Sequence, residues 1–163
     1  MPAADPTAPT LEDAIALAAH WHRGQRYPSE TGEPFLLHPL RVMLQVDSDD
    51  ARIVAVLHDV LEDTACSVVE LRQAGYSDRV VSALDRLTRR DGEAYDSYIE
   101  RIAEDTLARQ VKLADLMDNL ANNRRLAELS ARGDVQERIT RYERALARLQ
   151  GARAAAANAE PPR

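Results

Sequence analysis

Apolar residues recur three and four positions apart from Leu11 almost to residue 150, and the chain nowhere shows the alternation of a half-buried strand. That period dictates an all-α fold. Leu11, Ala14, Ile15, Ala18 and Ala19 carry the first stripe, with Thr10 placed as an N-cap and acids in the turn that follows. "RYPSETGEP" breaks it. Spacing predicts further helices over about 37 to 46, 50 to 63, 67 to 74, 78 to 90, 94 to 104, 106 to 122, 123 to 131 and 134 to 150. A chain of 163 residues has room for one well-cored domain, so a single bundle of irregularly packed helices is expected. No solenoid period is visible.

The expected domain runs from 10 to 150. The proline-rich "MPAADPTAP" over residues 1 to 9 reads as a disordered leader, and "GARAAAANAEPPR" over 151 to 163 as a frayed or disordered tail. A net charge of −6 argues against a sequence-independent grip on nucleic acid, so a phosphate-bearing ligand must be small and met locally. A single cysteine, Cys66, excludes an internal disulfide and a Cys-rich zinc site. No signal peptide or membrane span is present, which gives a cytoplasmic location and no membrane partner as the expectation. Nothing in the composition sets an oligomeric state.

Chemistry concentrates in "VLHDVLEDT", residues 56 to 64. On a helix His58, Asp59, Glu62 and Asp63 share one face, opposite Ile53, Val56, Leu57, Val60 and Leu61. Either a solvated face or a bound cation accounts for that. "PFLLHPLRV" sets His38 before Pro39, which biases it towards a helix start. "VKLADLMDNLANN" spaces Lys112, Asp115, Asn119 and Asn122 by 3, 4 and 3, which alone reads as a solvent face. Taken together, His38, His58, Asp59 and Asp115 form a mixed nitrogen and oxygen set suited to Mn²⁺, Fe²⁺ or Zn²⁺. The common zinc motifs are not matched.

The ordered run "HRGQ", "GEPFLLHP", "LHDVLEDT" and "VKLADLMDN" resembles the HD-domain phosphohydrolases. More narrowly, it is similar to the hydrolase domain of the RelA/SpoT enzymes and to the small alarmone hydrolases that remove the 3′-pyrophosphate of (p)ppGpp. The resemblance spans about residues 10 to 150. It implies that His38, His58, Asp59 and Asp115 hold a divalent metal, usually manganese. It also implies that Glu62 and Asp63 position and activate the attacking water, and that Asn119 lines the nucleotide site. His22 and Gln25 of "HRGQ" read as architectural. The chemistry is coherent, because a phosphate ester repels anionic nucleophiles until a divalent ion offsets its charge and acidifies water. A carboxylate one helical turn away then accepts the proton, with Glu62 the better candidate.

The chain departs from the pattern where small alarmone hydrolases carry a basic pair, two and three residues after the glutamine. Tyr27 and Pro28 stand there, with Arg26 as the available substitute. Tyr27 reads either as a stacking partner for a base or as a surface tyrosine. Leu116 replaces the basic residue that commonly follows the second aspartate. Lys112, Arg124 and Arg125 are candidate phosphate contacts, both arginines otherwise reading as a solvated helix end. Trp21 and Cys66 read as packing residues. Three functions compete. The first is a stand-alone metal-dependent (p)ppGpp hydrolase without a synthetase domain, acting on a small-molecule nucleotide and yielding GDP or GTP and pyrophosphate. The second is an HD phosphohydrolase for another phosphorylated nucleotide. The third is a non-catalytic helical module with a structural metal, and the spare carboxylates Glu62 and Asp63 count against it.

Overall fold

Local capping sets where several helices begin. The computed structural model describes residues 8 to 129 and 133 to 159, with no side-chain description at 159. Thr10 accepts from the Asp13 amide while the Asp13 carboxylate accepts from the Thr10 amide, a reciprocal box that starts α1 (Leu11–Trp21). Ser67 and Glu70 repeat it for α5 (Val68–Gln73). Ser48 caps α3 (Asp49–Leu57) and Ser77 caps α6 (Asp78–Leu87). The remaining helices are α2 (Leu37–Met43), α4 (Val60–Asp63), α7 (Tyr95–Ala103), α8 (Thr106–Leu129) and α9 (Gly133–Ala159). Among the described residues no strand forms beyond an isolated bridge between Arg26 and Pro34, so the all-α expectation stands.

Two helices organise the bundle. Every α3 residue from Ile53 to Leu57 is buried, because α1, α2, α6 and α8 all pack against it. The long α8 meets α2, α3, α6, α7 and α9. Its Val111, Leu113, Leu116 and Leu120 are buried, whereas Met117 is 54% exposed. Each fully buried branched side chain contributes about 1.5 to 3 kcal/mol. The His58–Asp59 end of α3 and the middle of α8 are held together by this core.

The structure corrects three expectations. The helix predicted over 50 to 63 is interrupted at His58 and Asp59, leaving α3 and the single turn α4. The two helices predicted over 106 to 122 and 123 to 131 are one, because Asn123 turns its amide back to the Asn119 carbonyl at 2.8 Å and Asn122 donates to the Pro28 carbonyl at 3.0 Å. The tail expected to fray from 151 continues α9 to Ala159: alanine is the strongest helix former, and Ala152 packs against the core. Residues 160 to 163, and 1 to 7 of the expected leader, lie outside the described residues. No described helix is long and apolar enough to cross a membrane.

Between α1 and α2 the chain doubles back, with Tyr27 N donating to the Glu33 carbonyl at 2.9 Å and Phe35 N to the Gln25 carbonyl at 3.0 Å. Gly24 at φ 82° and Gly32 at φ 56° supply the left-handed turns this needs. The excursion delivers Tyr27 into the bundle, where it is 4% exposed.

Leu84 is fully buried on α6, outside the acidic cluster described below. Leu84→Ala should lower unfolding free energy in urea by about 2 to 5 kcal/mol, the cost of a buried cavity. A loss below about 1 kcal/mol would contradict the packing.

Candidate active site

Four side chains from α2, the α3–α4 junction and α8 converge in the interior. His38 Nε2 lies 3.5 Å from Asp59 Oδ2 and 3.1 Å from Asp115 Oδ1. His58 Nε2 lies 3.1 Å from Asp59 Oδ2 and 3.5 Å from Asp115 Oδ1. Bonds of about 2.1 Å to a common ion place neighbouring ligand atoms about 3.0 to 3.4 Å apart. His38, His58 and Asp115 each offer a ligand atom within 4.8 Å of the others. The break after Leu57 sets both members of the His58–Asp59 pair towards this centre.

The second nitrogen of each imidazole settles which one is free. His38 Nδ1 donates to Asp118 Oδ2 at 2.7 Å, and His58 Nδ1 donates to the Ala55 carbonyl at 2.7 Å. Both Nε2 atoms therefore face the cluster, the arrangement typical of ligating histidines. His58 Nε2 is buried and has no hydrogen-bond partner. An orphaned imidazole nitrogen beside two carboxylate oxygens fits a divalent cation, and the cluster is a candidate divalent-metal site.

Charge balance describes the cation-free state. Burial alone would lower both histidines, but Asp115 and Asp118 hold His38 above its ordinary pKa, and Asp59 and Asp115 hold His58 well above. Burial would raise Asp115, yet Lys112 and the two histidines hold it well below the usual carboxylate range. Asp59 is lowered against the effect of burial by His58 and His38. Protons on the imidazoles thus occupy the electrostatic place of a cation.

A layer of hydrogen bonds surrounds these four side chains. Lys112 Nζ sits 2.8 Å from Asp115 Oδ2, and Asn119 Nδ2 donates to Asp115 Oδ1 at 2.6 Å. Arg41 Nε donates to Asp118 Oδ1 at 2.7 Å, and Arg41 Nη1 to Glu33 at 2.5 Å. The stripe Lys112, Asp115, Asn119, which alone read as a solvent face, points inwards.

A cavity of about 270 Å³ opens beside the cluster. Asp59, Glu62, Asp63 and Asp115 line it, as do Tyr27, Lys112 and Asn119. Glu62 accepts from the Arg89 amide at 3.2 Å. Asp63 is pushed up to about 6 by partial burial, then by Asp59 and Glu62. Gln25 Nε2 donates to the Asp63 carbonyl at 3.0 Å and its Oε1 accepts from His22 Nδ1 at 2.8 Å, consistent with an architectural "HRGQ". His22 Nε2 is buried without a partner, and burial lowers this imidazole's pKa.

One substrate-side expectation needs correction: Tyr27 is not a surface tyrosine but is buried, with its ring stacked on His38 at 4.8 Å and 12° where it lines the cavity. Arg26 is exposed, donates to the Gly32 carbonyl at 3.3 Å and is not among the residues that line the cavity. Arg124 and Arg125 pair with Glu143 and Glu30 on exposed surface, within α8 and not at a helix end as expected.

The sequence reading missed Asp118, although a carboxylate three residues after Asp115 on a helix was a readable signal. It also missed Arg89, Tyr95, Tyr98, Arg141 and Tyr142, which line the cavity as well. Nothing in their spacing marks them, since they come from α7, α9 and the stretch after α6.

No family model matches the chain. It is 32% identical over 145 residues to a GTP pyrophosphokinase of Streptomyces coelicolor, covering 81% of this chain and 17% of that one. It is 30% identical over 125 residues to a guanosine-3′,5′-bis(diphosphate) 3′-pyrophosphohydrolase of Aquifex aeolicus, covering 69% and 18%. It is 32% identical over 145 residues to the bifunctional (p)ppGpp synthase/hydrolase SpoT of Escherichia coli, covering 80% and 20%. The chain thus spans about a fifth of the length of these relatives. Its fold matches a solved metazoan ortholog of SpoT that hydrolyzes ppGpp, at a TM-score of 0.71 and 20% identity over 89% of this chain and 85% of that chain. The fold and the buried histidine–aspartate cluster define an HD-type helical domain. By sequence it is a relative of the SpoT/RelA family of (p)ppGpp enzymes.

Because protons and a cation compete for the imidazoles, divalent-ion affinity should fall as pH drops below neutral, and binding at pH 7 should release protons. The direction follows from the raised histidines, which keep their protons above the ordinary value of 6.5. Calorimetric titration in buffers of different ionisation enthalpy measures the release. Zero release at pH 7 would show that the cation-free imidazoles are neutral.

Proposed function

We propose that this chain is a metal-dependent hydrolase that removes the 3′-pyrophosphate of (p)ppGpp. Water attacks the phosphorus attached to the 3′-oxygen, that P–O bond breaks, and GDP or GTP leaves with the 3′-hydroxyl restored while pyrophosphate is released. The observation that carries this reading is the mixed charge of the cavity lining. Asp59 and Asp115 of the cluster line it together with the cations Arg89 and Arg141. Arg89 donates to the Glu93 carbonyl and Arg141 stands over the Tyr95 and Tyr142 rings at 5.0 and 5.5 Å. Among the described residues neither guanidinium is ion-paired to a carboxylate, which leaves their charge for a phosphate. The names of the relatives supply the nucleotide.

His38, His58, Asp59 and Asp115 would hold the ion. Manganese suits a nitrogen and oxygen set without thiolate. When bound, such an ion offsets phosphate charge and acidifies water. Glu62 and Asp63, at the edge of the cluster, take the water's proton and orient it, with Glu62 fixed by the Arg89 amide. Lys112 and Asn119 act on Asp115, and thereby on the cation site, more directly than on substrate.

The test is a panel of phosphorylated nucleotides, ppGpp included, incubated with Mn²⁺-loaded protein and resolved by chromatography. Pyrophosphate and GDP from ppGpp are expected. Turnover confined to other nucleotides, or none at all, would overturn the reading. Glu62→Gln should keep the metal and lose on the order of 10²-fold in kcat.

Arg141→Ala should raise KM for ppGpp about ten- to a hundredfold, the worth of a charge-assisted phosphate contact of about 1.5 to 3 kcal/mol. Arg26→Ala should leave KM unchanged. Equal effects from the two variants would remove Arg141 from the substrate side.

A further inference from the structure

Tyr27 makes two contacts that both end on the cation site. Its ring lies against the His38 imidazole at 4.8 Å with 12° between planes. Its hydroxyl donates to Asn119 Oδ1 at 2.8 Å, and Asn119 Nδ2 donates to Asp115 Oδ1 at 2.6 Å. We infer that Tyr27 is a positioning residue of the metal centre, holding His38 through its ring and Asp115 through Asn119.

Each contact removes a freedom that the rest of the site leaves open. The hydrogen bond from His38 Nδ1 to Asp118 fixes one atom of the imidazole but permits the ring to tilt about that bond. A stacked aromatic plane stops the tilt and so fixes the direction of the Nε2 lone pair. The Asp115 carboxylate only accepts, so the Asn119 amide turns its amino end towards it and its Oδ1 away. The phenol donates to that Oδ1 and so anchors the far end of the amide, which would otherwise be free to swing out of line with Asp115. Asp115 is then held from both oxygens, by Lys112 on Oδ2 and Asn119 on Oδ1, with Oδ1 still facing both histidines.

Tyr27 is itself fixed. Its amide is bonded to the Glu33 carbonyl at 2.9 Å, and the Phe35 ring meets it edge-on at 6.0 Å. The Arg41 guanidinium lies 5.4 Å from the ring centroid and also bonds Asp118, so the brace on His38 is closed from both sides. Supporting residues of this kind change metal affinity or activity by about 10- to 100-fold when lost.

The inference rests on the proposed metal site, and its test uses Mn²⁺ alone, without nucleotide. Calorimetric affinity is compared for the parent, Tyr27→Phe, Tyr27→Leu and Asn119→Ala, with thermal melting of each metal-free protein to establish that it is folded. Tyr27→Phe, which keeps the ring and loses the hydroxyl, should bind Mn²⁺ several-fold to about tenfold more weakly, and Tyr27→Leu about 10- to 100-fold more weakly. In the Asn119→Ala background, Tyr27→Phe should add nothing, because the hydroxyl acts only through the amide. Unchanged affinity in the folded Tyr27 variants overturns the inference while leaving the metal site intact. Additive losses in the double variant overturn the relay through Asn119. Should Tyr27→Leu fail to fold, Tyr27→Phe and the double variant still decide. A parent that takes up no Mn²⁺ overturns the metal site and this inference together.

Discussion

Two carboxylates and two imidazoles facing one another at 3.1 to 3.5 Å inside a helical core form a cluster whose negative charge must be balanced. Buried charges without compensation cost several kcal/mol each, and here the compensation is either protons on the histidines or a divalent ion. Most of the architecture serves this demand. The core of α3 and α8 sets the distance between Asp59 and Asp115, and the excursion after α1 closes the site beneath Tyr27. The short α4 carries Glu62 and Asp63 past the cluster and leaves them beside the cavity.

The hydrogen-bond layer outside the ligands explains why so much polar surface is tolerated in the interior. His38 rests on Asp118, Asp118 on Arg41, and Arg41 on Glu33, a chain that alternates sign and ends at partly exposed side chains. Asp115 rests on Lys112, whose ammonium lies 5.2 Å from the Tyr98 ring centroid. Burial would strip the proton from that lysine, but Asp115 keeps its pKa well above the ordinary value. Within this cluster each buried charge has an opposite neighbour, which is the condition for retaining it.

Much of the site was legible because the chemistry-bearing residues fall in short runs: His38 before a proline, His58 with Asp59, Asp115 on an apolar helix. What could not be read was direction. His58 at φ −60° and Asp59 at φ −96° keep nearly helical angles, so no breaker residue announces the end of α3. The boundary expected between 122 and 123 does not form, because the Asn122 and Asn123 amides bond the Pro28 and Asn119 carbonyls and spare the helix. Ala-rich residues after 150 looked unable to pack, and propensity carried α9 onward. Tyr27 was misjudged because burial of its ring depends on a turn held by Gly24 and Gly32, whose angles no local pattern reveals.

The cavity lining shows how a chain of net charge −6 can keep positive charge unpaired at one place. A guanidinium paired with a carboxylate is neutralised, and its field at a distance is that of a dipole. One laid over an aromatic face is held in place while keeping its full charge. Arg89 and Arg141 both take the second arrangement, over Tyr95 at 5.9 and 5.0 Å. Arg141 gains a second ring from Tyr142 at 5.5 Å. In contrast, Arg124, Arg125 and Arg148, outside the cavity, each pair with a glutamate. The same residue type is thus used in two ways. Where the surface needs only solubility the arginines are paired with acids, and where the cavity faces the histidine–aspartate cluster they are stacked and left charged.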